Sequence, residues 1–178
     1  MKYVFFILIC WSVFSGCNNQ KDAASIKTYI GATINWDEIK SASENTIESV
    51  LVERNNKVVV FIDSANCTPC TLDNVIMWER HENELQKYNL QIILISNVPN
   101  QQLIEKYLLN YGINHPLLFD ERGYMQKEYP FLALENFQAF VINKENKIIW
   151  IGNPLFDEKQ WKTFCKVMEL REIQDKTL

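Results

Sequence analysis

The chain has 178 residues, which is enough for one ordinary globular domain and too few for two of comfortable size. Its hydrophobic fraction of 47% and charged fraction of 22% are typical of a folded protein, and its five glycines and five prolines exclude collagen-like and low-complexity chains. The net charge of −4 argues against nucleic acid as a partner, because nucleic-acid-binding surfaces are basic.

Residues 1–16 have the composition of an export signal peptide. Lys2 supplies a positive charge, and the apolar run at 3–14 is shorter than the about 20 residues that a membrane-spanning helix needs. Small residues directly before Cys17 resemble the lipobox of bacterial lipoproteins. That resemblance implies cleavage before Cys17 and lipidation at this residue, with 17–28 as a polar, lipidated tether. An uncleaved anchor or a plain secretory signal is the alternative, and either would also export the domain.

From about residue 30 onward, the sequence predicts alternating strands and helices. Runs of β-branched residues indicate strands buried on both faces, and apolar residues spaced by three and four indicate helices. The predicted elements, in chain order, are an extended segment at 29–34, a helix at 44–53, a strand at 57–62, a helix from 67 or 68 to about 88, a strand at 91–95, a helix between Pro99 and Gly112, a strand at 116–119, a short helix capped by Asp120, a hairpin of 137–142 with 147–151, and a last helix capped by Asp157.

This order of elements predicts the fold class. Strands separated by helices imply parallel pairing through right-handed crossovers, and the hairpin adds antiparallel strands. We therefore predict an α/β fold with a mixed central sheet, helices on both faces, and a C-terminal β-hairpin plus helix. One domain at 29–172 contains these elements, and residues 173–178 form a C-terminal tail.

Two of the five cysteines form the only C-x-x-C, at the start of a predicted helix. Thiol exchange needs a thiolate, and the unpaired N–H groups and dipole at a helix N-terminus lower the pKa of a cysteine there. We predict that Cys67 is the exposed nucleophile and that Cys70, more buried, resolves the mixed disulfide. Thr68 and Pro69 lie between them and tune the pair; Pro69 suits a first helical turn, where its missing N–H would have no partner.

Two acidic residues flank this pair along the chain. Asp73 follows Cys70 by three residues, on the same predicted helical face, so its carboxylate could exchange a proton with the resolving thiol. The alternative is an acid in the first turn that only favours the helix dipole, and the sequence does not decide between them. Asp63 precedes Cys67 by four residues and is a weaker candidate, because an acid in a loop is more often simply solvated.

The order of the predicted elements resembles that of thioredoxin. A strand, a loop, C-x-P-C and a helix come first, then a strand and a helix, and then a hairpin and a helix. The extra strand and short helix at 117–129 resemble the membrane-tethered TlpA/ResA-type reductases of the bacterial envelope, in which an acid often follows the second cysteine by three, as Asp73 does. The segment 140–148 resembles their third-strand-to-hairpin segment. The resemblance covers roughly residues 30–170. It implies a thioredoxin fold and a thiol–disulfide oxidoreductase that acts on protein clients.

The lipobox and this resemblance together imply a cellular setting. The domain is expected to be lipid-anchored to a membrane of the bacterial envelope and to face the periplasm or the cell surface. An electron donor in the envelope would regenerate the pair if it works as a reductase. The reverse direction, oxidation of client thiols, fits the sequence equally well, because the reduction potential sets the direction.

Three positions depart from the family pattern. The family's cis-proline before the third strand is Phe137 here, and a non-proline cis bond costs about 2.5–4 kcal/mol, so we expect a trans bond or a rebuilt loop. The tryptophan before the first cysteine is Asn66, and the buried acid six residues before that cysteine is Phe61. Asn66, Phe137 and Gln138 are the predicted residues of the substrate groove, which these departures alter.

Other interpretations remain open from the sequence. A zinc site is disfavoured, because structural zinc needs four ligands and the two histidines lack a paired spacing; we predict neither metal nor cofactor. A permanently closed disulfide would gain little from so short a loop. A peroxiredoxin-like peroxidase has Ser64 at its expected hydroxyl position but Val60 where proline is expected. A thioredoxin-fold module that binds a partner or senses redox state without turnover is motivated by the missing cis-proline.

Overall fold

The structure is a computed structural model that describes residues 26–41, 55–64 and 68–176. Its strands are β1 (Lys40–Ser41), β2 (Asn56–Ile62), β3 (Leu90–Ser96), β4 (Leu117–Phe119), β5 (Ala139–Ile142) and β6 (Ile148–Ile151). Its α-helices are α1 (Thr68–Arg80), α2 (Glu82–Gln86), α3 (Gln101–Asn110), α4 (Tyr124–Glu128) and α5 (Glu158–Lys176), with 3-10 helices at Pro130–Ala133, Glu135–Phe137 and Pro154–Phe156. The signal peptide, Cys17 and the helix predicted at 44–53 lie outside the described residues.

The strands form one mixed sheet in the order β1-β4-β3-β2-β5-β6. β2, β3 and β4 are parallel to one another, whereas β5 is antiparallel to β2, β6 to β5 and β1 to β4. Val60 in the middle of the sheet is paired with Leu94 on one side and Ala139 on the other. The predicted mixed sheet is confirmed, with parallel crossovers first and the hairpin last.

Alternate residues of the central strands divide the core into two layers. Val58, Val60 and Ile62 of β2 belong to the layer covered by α1, α3 and α5, while Val59 and Phe61 belong to the opposite layer. That opposite layer is covered by α4, the 3-10 turn at Pro130–Ala133 and the N-terminal segment 26–39. All seven residues of β2 are buried, which explains its run of β-branched and aromatic residues from Val58 to Ile62. The expectation of helices on both faces is therefore confirmed.

The N-terminal segment adds to the sheet at both of its edges. Thr33 forms an antiparallel bridge with Lys147, and Gly31 and Ile34 donate backbone hydrogen bonds to Ile148 and Asn146, so the chain passes beside β6 there. The extended segment predicted at 29–34 is wrong in its first half, because residues 28–31 form a turn in which the N–H of Ala32 donates to the carbonyl oxygen of Tyr29. β1, which pairs with β4 at the other edge, was not predicted. Within the described ranges, no helix has the length and apolar character needed to cross a membrane.

The long helix predicted to run to about 88 breaks at His81. The Nδ1 atom of His81 lies 2.8 Å from the carbonyl oxygen of Met77, the acceptor that the backbone N–H of His81 would use in a continuing α-helix. That N–H donates instead to the carbonyl oxygen of Trp78, three residues back along the chain, at 3.0 Å. The chain tightens there, and α2 starts as a separate turn after it.

Candidate active site

The C-x-x-C is placed by the junction between β2 and α1. β2 ends at Ile62 in the centre of the sheet, and α1 begins at Thr68, as predicted. Thr68, Pro69 and Cys70 thus form the first turn of α1, where backbone N–H groups lack helical partners. No acidic residue lies in that first turn, so no carboxylate there opposes a thiolate. Cys67 and Asn66 lie outside the described residues.

Asp73 lies in the second turn of α1, not in the first. The reading of Asp73 as a first-turn acid that favours the dipole is therefore wrong. The residue is exposed. Asp73 is one of the charges that act on Tyr107 of α3. The pKa of Tyr107 is raised to about 12, first by burial, then by the hydrogen bond with Tyr111 and by the charges of Tyr111 and Asp73. Proton exchange between Asp73 and Cys70 stays a prediction.

Asp63 is buried, which corrects the expectation that it is solvated. Its side chain is 1% exposed at the carboxyl end of β2. Asn97, directly after β3, donates from Nδ2 to Oδ1 of Asp63 at 3.2 Å. The Oδ1 atom of Asn97 accepts the backbone N–H of Ser64 at 2.6 Å. Asp63 can be buried because a polar partner directly after the neighbouring strand donates a hydrogen bond to it.

Sequence reasoning missed Asn97 and its second partner, Gln126. Asn97 also donates from Nδ2 to Oε1 of Gln126 on α4, at 3.2 Å. One signal was present: Asp63 and Asn97 each follow a predicted buried parallel strand, and the carboxyl ends of adjacent parallel strands meet at one edge of a sheet. No comparable signal in the sequence indicated Gln126.

Asp120 fixes α4 in place beside these residues. It is buried after β4, and its two carboxylate oxygens accept the backbone N–H groups of Tyr124 at 2.7 Å and Met125 at 2.8 Å. The predicted cap is confirmed. The backbone N–H of Asp120 donates to the carbonyl oxygen of Ser96 at 2.9 Å, which ties the end of β4 to the end of β3.

The predicted groove residues Phe137 and Gln138 precede β5. None of the peptide bonds among the described residues is cis, so Phe137 follows a trans bond, as expected. The strand predicted from 137 starts at Ala139 instead, because Glu135–Phe137 is a 3-10 helix and Gln138 has φ −72° and ψ 7°. Gln138 is 3% exposed, and its carbonyl oxygen accepts the N–H of Phe61 at 2.7 Å. The ring of Phe137 lies beside Gly152, whose φ of 112° suits glycine.

Cys165 is a free, half-buried cysteine on α5, away from the C-x-x-C along the chain. Burial raises the pKa of its thiol, and a hydrogen bond with Tyr88 opposes that change only in part. Since the thiolate is the nucleophile, this cysteine is a poor competitor for disulfides near neutral pH.

Three solved structures show that this arrangement is a thioredoxin fold. A thioredoxin-like protein from Porphyromonas gingivalis is 18% identical, with a TM-score of 0.58 over 79% of this chain and 93% of that one. A putative thiol:disulfide interchange protein DsbE from Chlorobium tepidum is 13% identical, with a TM-score of 0.56 over 78% and 97%. The peroxidoxin BcpB from Mycobacterium tuberculosis is 16% identical, with a TM-score of 0.59 over 80% and 97%. At these identities the likeness concerns the fold alone.

The sequence comparison identifies the family. No protein with a curated function matches the chain. Residues 33–151 match the AhpC/TSA family, a range that extends from the N-terminal segment beside β6 to the end of β6 itself. The chain therefore belongs to the AhpC/TSA family of redoxins, built on a thioredoxin fold.

Proposed function

We propose that this protein is a thiol–disulfide oxidoreductase of the bacterial envelope, which exchanges disulfides with protein clients through Cys67 and Cys70. The observation that carries the proposal is the position of Cys70 in the first turn of α1, directly after the central strand β2. Unpaired N–H groups and the helix dipole stabilise a thiolate at that end of the helix. Membership of a redoxin family supports the same chemistry.

In the reducing direction, the thiolate of Cys67 attacks one sulfur of a client disulfide. A Cys67–client disulfide forms, the client S–S bond breaks, and the released client sulfur leaves as a thiolate that takes up a proton. The Cys70 thiol then loses its proton, and the thiolate so formed attacks the sulfur of Cys67; the Cys67–client bond breaks, and the second client sulfur leaves as a thiolate that takes up a proton. Two electrons pass to the client and the pair becomes a disulfide. An envelope electron donor returns two electrons and two protons; in the oxidising direction each step reverses.

The reduction potential of the Cys67–Cys70 pair is the test of this proposal. We would quantify thiols of the purified full chain across a glutathione or dithiothreitol redox series, in a Cys165→Ser background. We expect a reversible two-electron transition, and a value near that of thioredoxin, about −270 mV, would indicate a reductase, whereas a much higher value would indicate a thiol oxidant. A pair that never forms a disulfide, or that is reduced only on unfolding, would contradict the proposal and favour a binding module.

A peroxidase assay separates the remaining alternative. Val60 lies in the middle of β2, paired on both sides, at the place where the peroxiredoxin pattern expects a proline. We expect the reduced protein to reduce a peptide disulfide much faster than hydrogen peroxide. Rapid, catalytic consumption of peroxide with a thiol reductant would instead support a peroxiredoxin-like enzyme.

The lipid anchor is proposed from the small residues before Cys17. In a bacterium fed labelled palmitate, the wild-type chain is expected to incorporate label and to sediment with membranes, because acyl chains hold the tether at residues 17–28 to a bilayer. Cys17→Ala should lose the label, while Cys165→Ser should retain it. Equal labelling of the Cys17→Ala variant would show that Cys17 is not the lipidated residue.

A further inference from the structure

We propose that Asn97 is a positioning residue for the Cys67–Cys70 pair, because it fixes the start of the loop that leads from β2 to Cys67. This inference rests on the proposed thiol chemistry and goes beyond it, by naming a residue directly after β3 that controls how reactive Cys67 is. We call this group of four residues the edge clamp: Asp63, Ser64, Asn97 and Gln126.

Asn97 contacts the loop through both polar groups of its side chain. Oδ1 accepts the Ser64 backbone N–H at 2.6 Å, and Nδ2 donates to Asp63 Oδ1 at 3.2 Å. An amide has one acceptor end and one donor end, so the backbone donor and the carboxylate acceptor determine which way it points. Two consecutive residues of the loop are therefore held by one side chain.

Asn97 is itself held in place by its surroundings. Its backbone N–H donates to the carbonyl oxygen of Ile62 at 3.2 Å, which extends the pairing of β3 with β2 by one residue. Nδ2 also donates to Gln126 at 3.2 Å, on the helix that Asp120 caps. The edge clamp thus joins the loop to the ends of neighbouring strands and to α4, on the opposite face of the sheet from α1.

The edge clamp holds the chain at a residue close to Cys67 in the sequence. Ser64 is held by Asn97, and Thr68 is held in α1, so only residues 65–67 separate two anchored points. Cys67 follows Ser64 by three residues, so we expect a shift of the chain at Ser64 to affect Cys67. The reactivity of Cys67 depends on its distance from the N-terminus of α1, because the effect of the helix dipole falls off within a turn.

The clamp is also sensitive to charge. Asp63 is 1% exposed, and a buried carboxylate needs its hydrogen-bond donors. In Asn97→Asp the donor to Asp63 is lost and two carboxylates face each other at hydrogen-bond distance, which is strongly unfavourable. In the double variant Asp63→Asn with Asn97→Asp, the amide now at 63 donates to the carboxylate now at 97, which still accepts the Ser64 N–H. The exchanged pair should therefore restore the contacts with Ser64 and with residue 63, while Gln126 can turn its amide so that Nε2 donates to the carboxylate at 97.

The test measures alkylation of Cys67 by iodoacetamide, resolved by peptide mass spectrometry in the reduced full chain between pH 5 and 9. At pH 7 we expect Asn97→Asp to slow alkylation by about tenfold and to move the pH midpoint upward, because the chain that leads to Cys67 is no longer held and its thiolate is stabilised less. The double variant should recover most of the wild-type rate. Asn110→Asp, an exposed asparagine at the end of α3, is the matched control and should react as the wild type does.

Two results would overturn the inference. One is a folded Asn97→Asp protein whose Cys67 alkylation stays within about twofold of wild type; the other is a double variant no better than Asn97→Asp. If Asn97→Asp does not fold, Asn97→Ser, which shortens the side chain without adding charge, is measured in its place, and a wild-type rate there also overturns the inference. Alkylation needs no client and no turnover, so a wild-type protein that fails to exchange disulfides would refute the proposed function without affecting this measurement.

Discussion

Cys67→Ser is expected to reduce disulfide exchange to the background rate, because a serine hydroxyl does not ionise near neutral pH and cannot form the mixed disulfide. Cys70→Ser should keep the first attack but lose the release step, so mixed disulfides with clients accumulate. The two variants therefore fail in different ways. Reduction of a fluorescent peptide disulfide measures the loss, and non-reducing electrophoresis of an envelope extract measures the trapped species.

Cys165→Ser is the matched control for both cysteine variants. Burial raises the pKa of the Cys165 thiol, so its removal should leave exchange unchanged. If Cys70→Ser traps no client under conditions in which the wild type turns over, the assigned order of attack and release is wrong. Exchange that survives in Cys67→Ser but is lost in Cys70→Ser would reverse the two roles.

Phe164→Ala is expected to lower the free energy of unfolding by about 3–5 kcal/mol, because it removes a large buried ring. Phe164 is fully buried on α5, and its ring centroid lies 6.1 Å from that of Trp78 and 5.3 Å from those of Trp150 and Trp161. The substitution would leave a cavity where α1, β6 and α5 meet. Urea denaturation followed by tryptophan fluorescence measures the change.

Phe156→Ala makes the same chemical change at a residue that is 47% exposed. We expect it to lower the free energy of unfolding by less than about 1 kcal/mol. A loss of that small size in Phe164→Ala would mean that the aromatic cluster tolerates the cavity by repacking. The pair of variants thus separates burial from the removal of a phenylalanine as such.

The fold could be predicted because the residues of each central strand, without any long-range contact, indicate a buried strand. The runs Lys57–Ile62 and Gln91–Ile95 are mostly β-branched residues or leucine, and each lies in a strand close to the predicted bounds. Asp120 capped its helix as predicted, since a cap depends on neighbours within four residues. β1 could not be predicted, because two residues carry no periodicity and their strand exists only through pairing with β4.

The site was predictable to the extent that its chemistry is local. The start of α1 at Thr68 follows from the loop and Pro69, and the exchange chemistry follows from a C-x-x-C at such a place. Burial of Asp63 could not be inferred from its neighbours along the chain, because its partner Asn97 is 34 residues away in sequence and only the shared edge of the sheet brings them together. The late start of β5 was not predicted either. Residues 137 and 138 have the pattern of a strand, but a 3-10 helix ends at Phe137 and delays the start of β5.

The order of the sheet also constrains how the chain reaches its folded state. β2 finds its partner β3 early, but its other partner is β5, and Val60 pairs with Ala139, 79 residues further along the chain. Until that last quarter has been synthesised, one edge of the most buried strand has nothing to pair with, and such an edge is a site for aggregation. Closing so long a loop is slow, so β5 completes the sheet late. For the export proposed above, we therefore expect the chain to need protection from aggregation until its C-terminal hairpin has been synthesised.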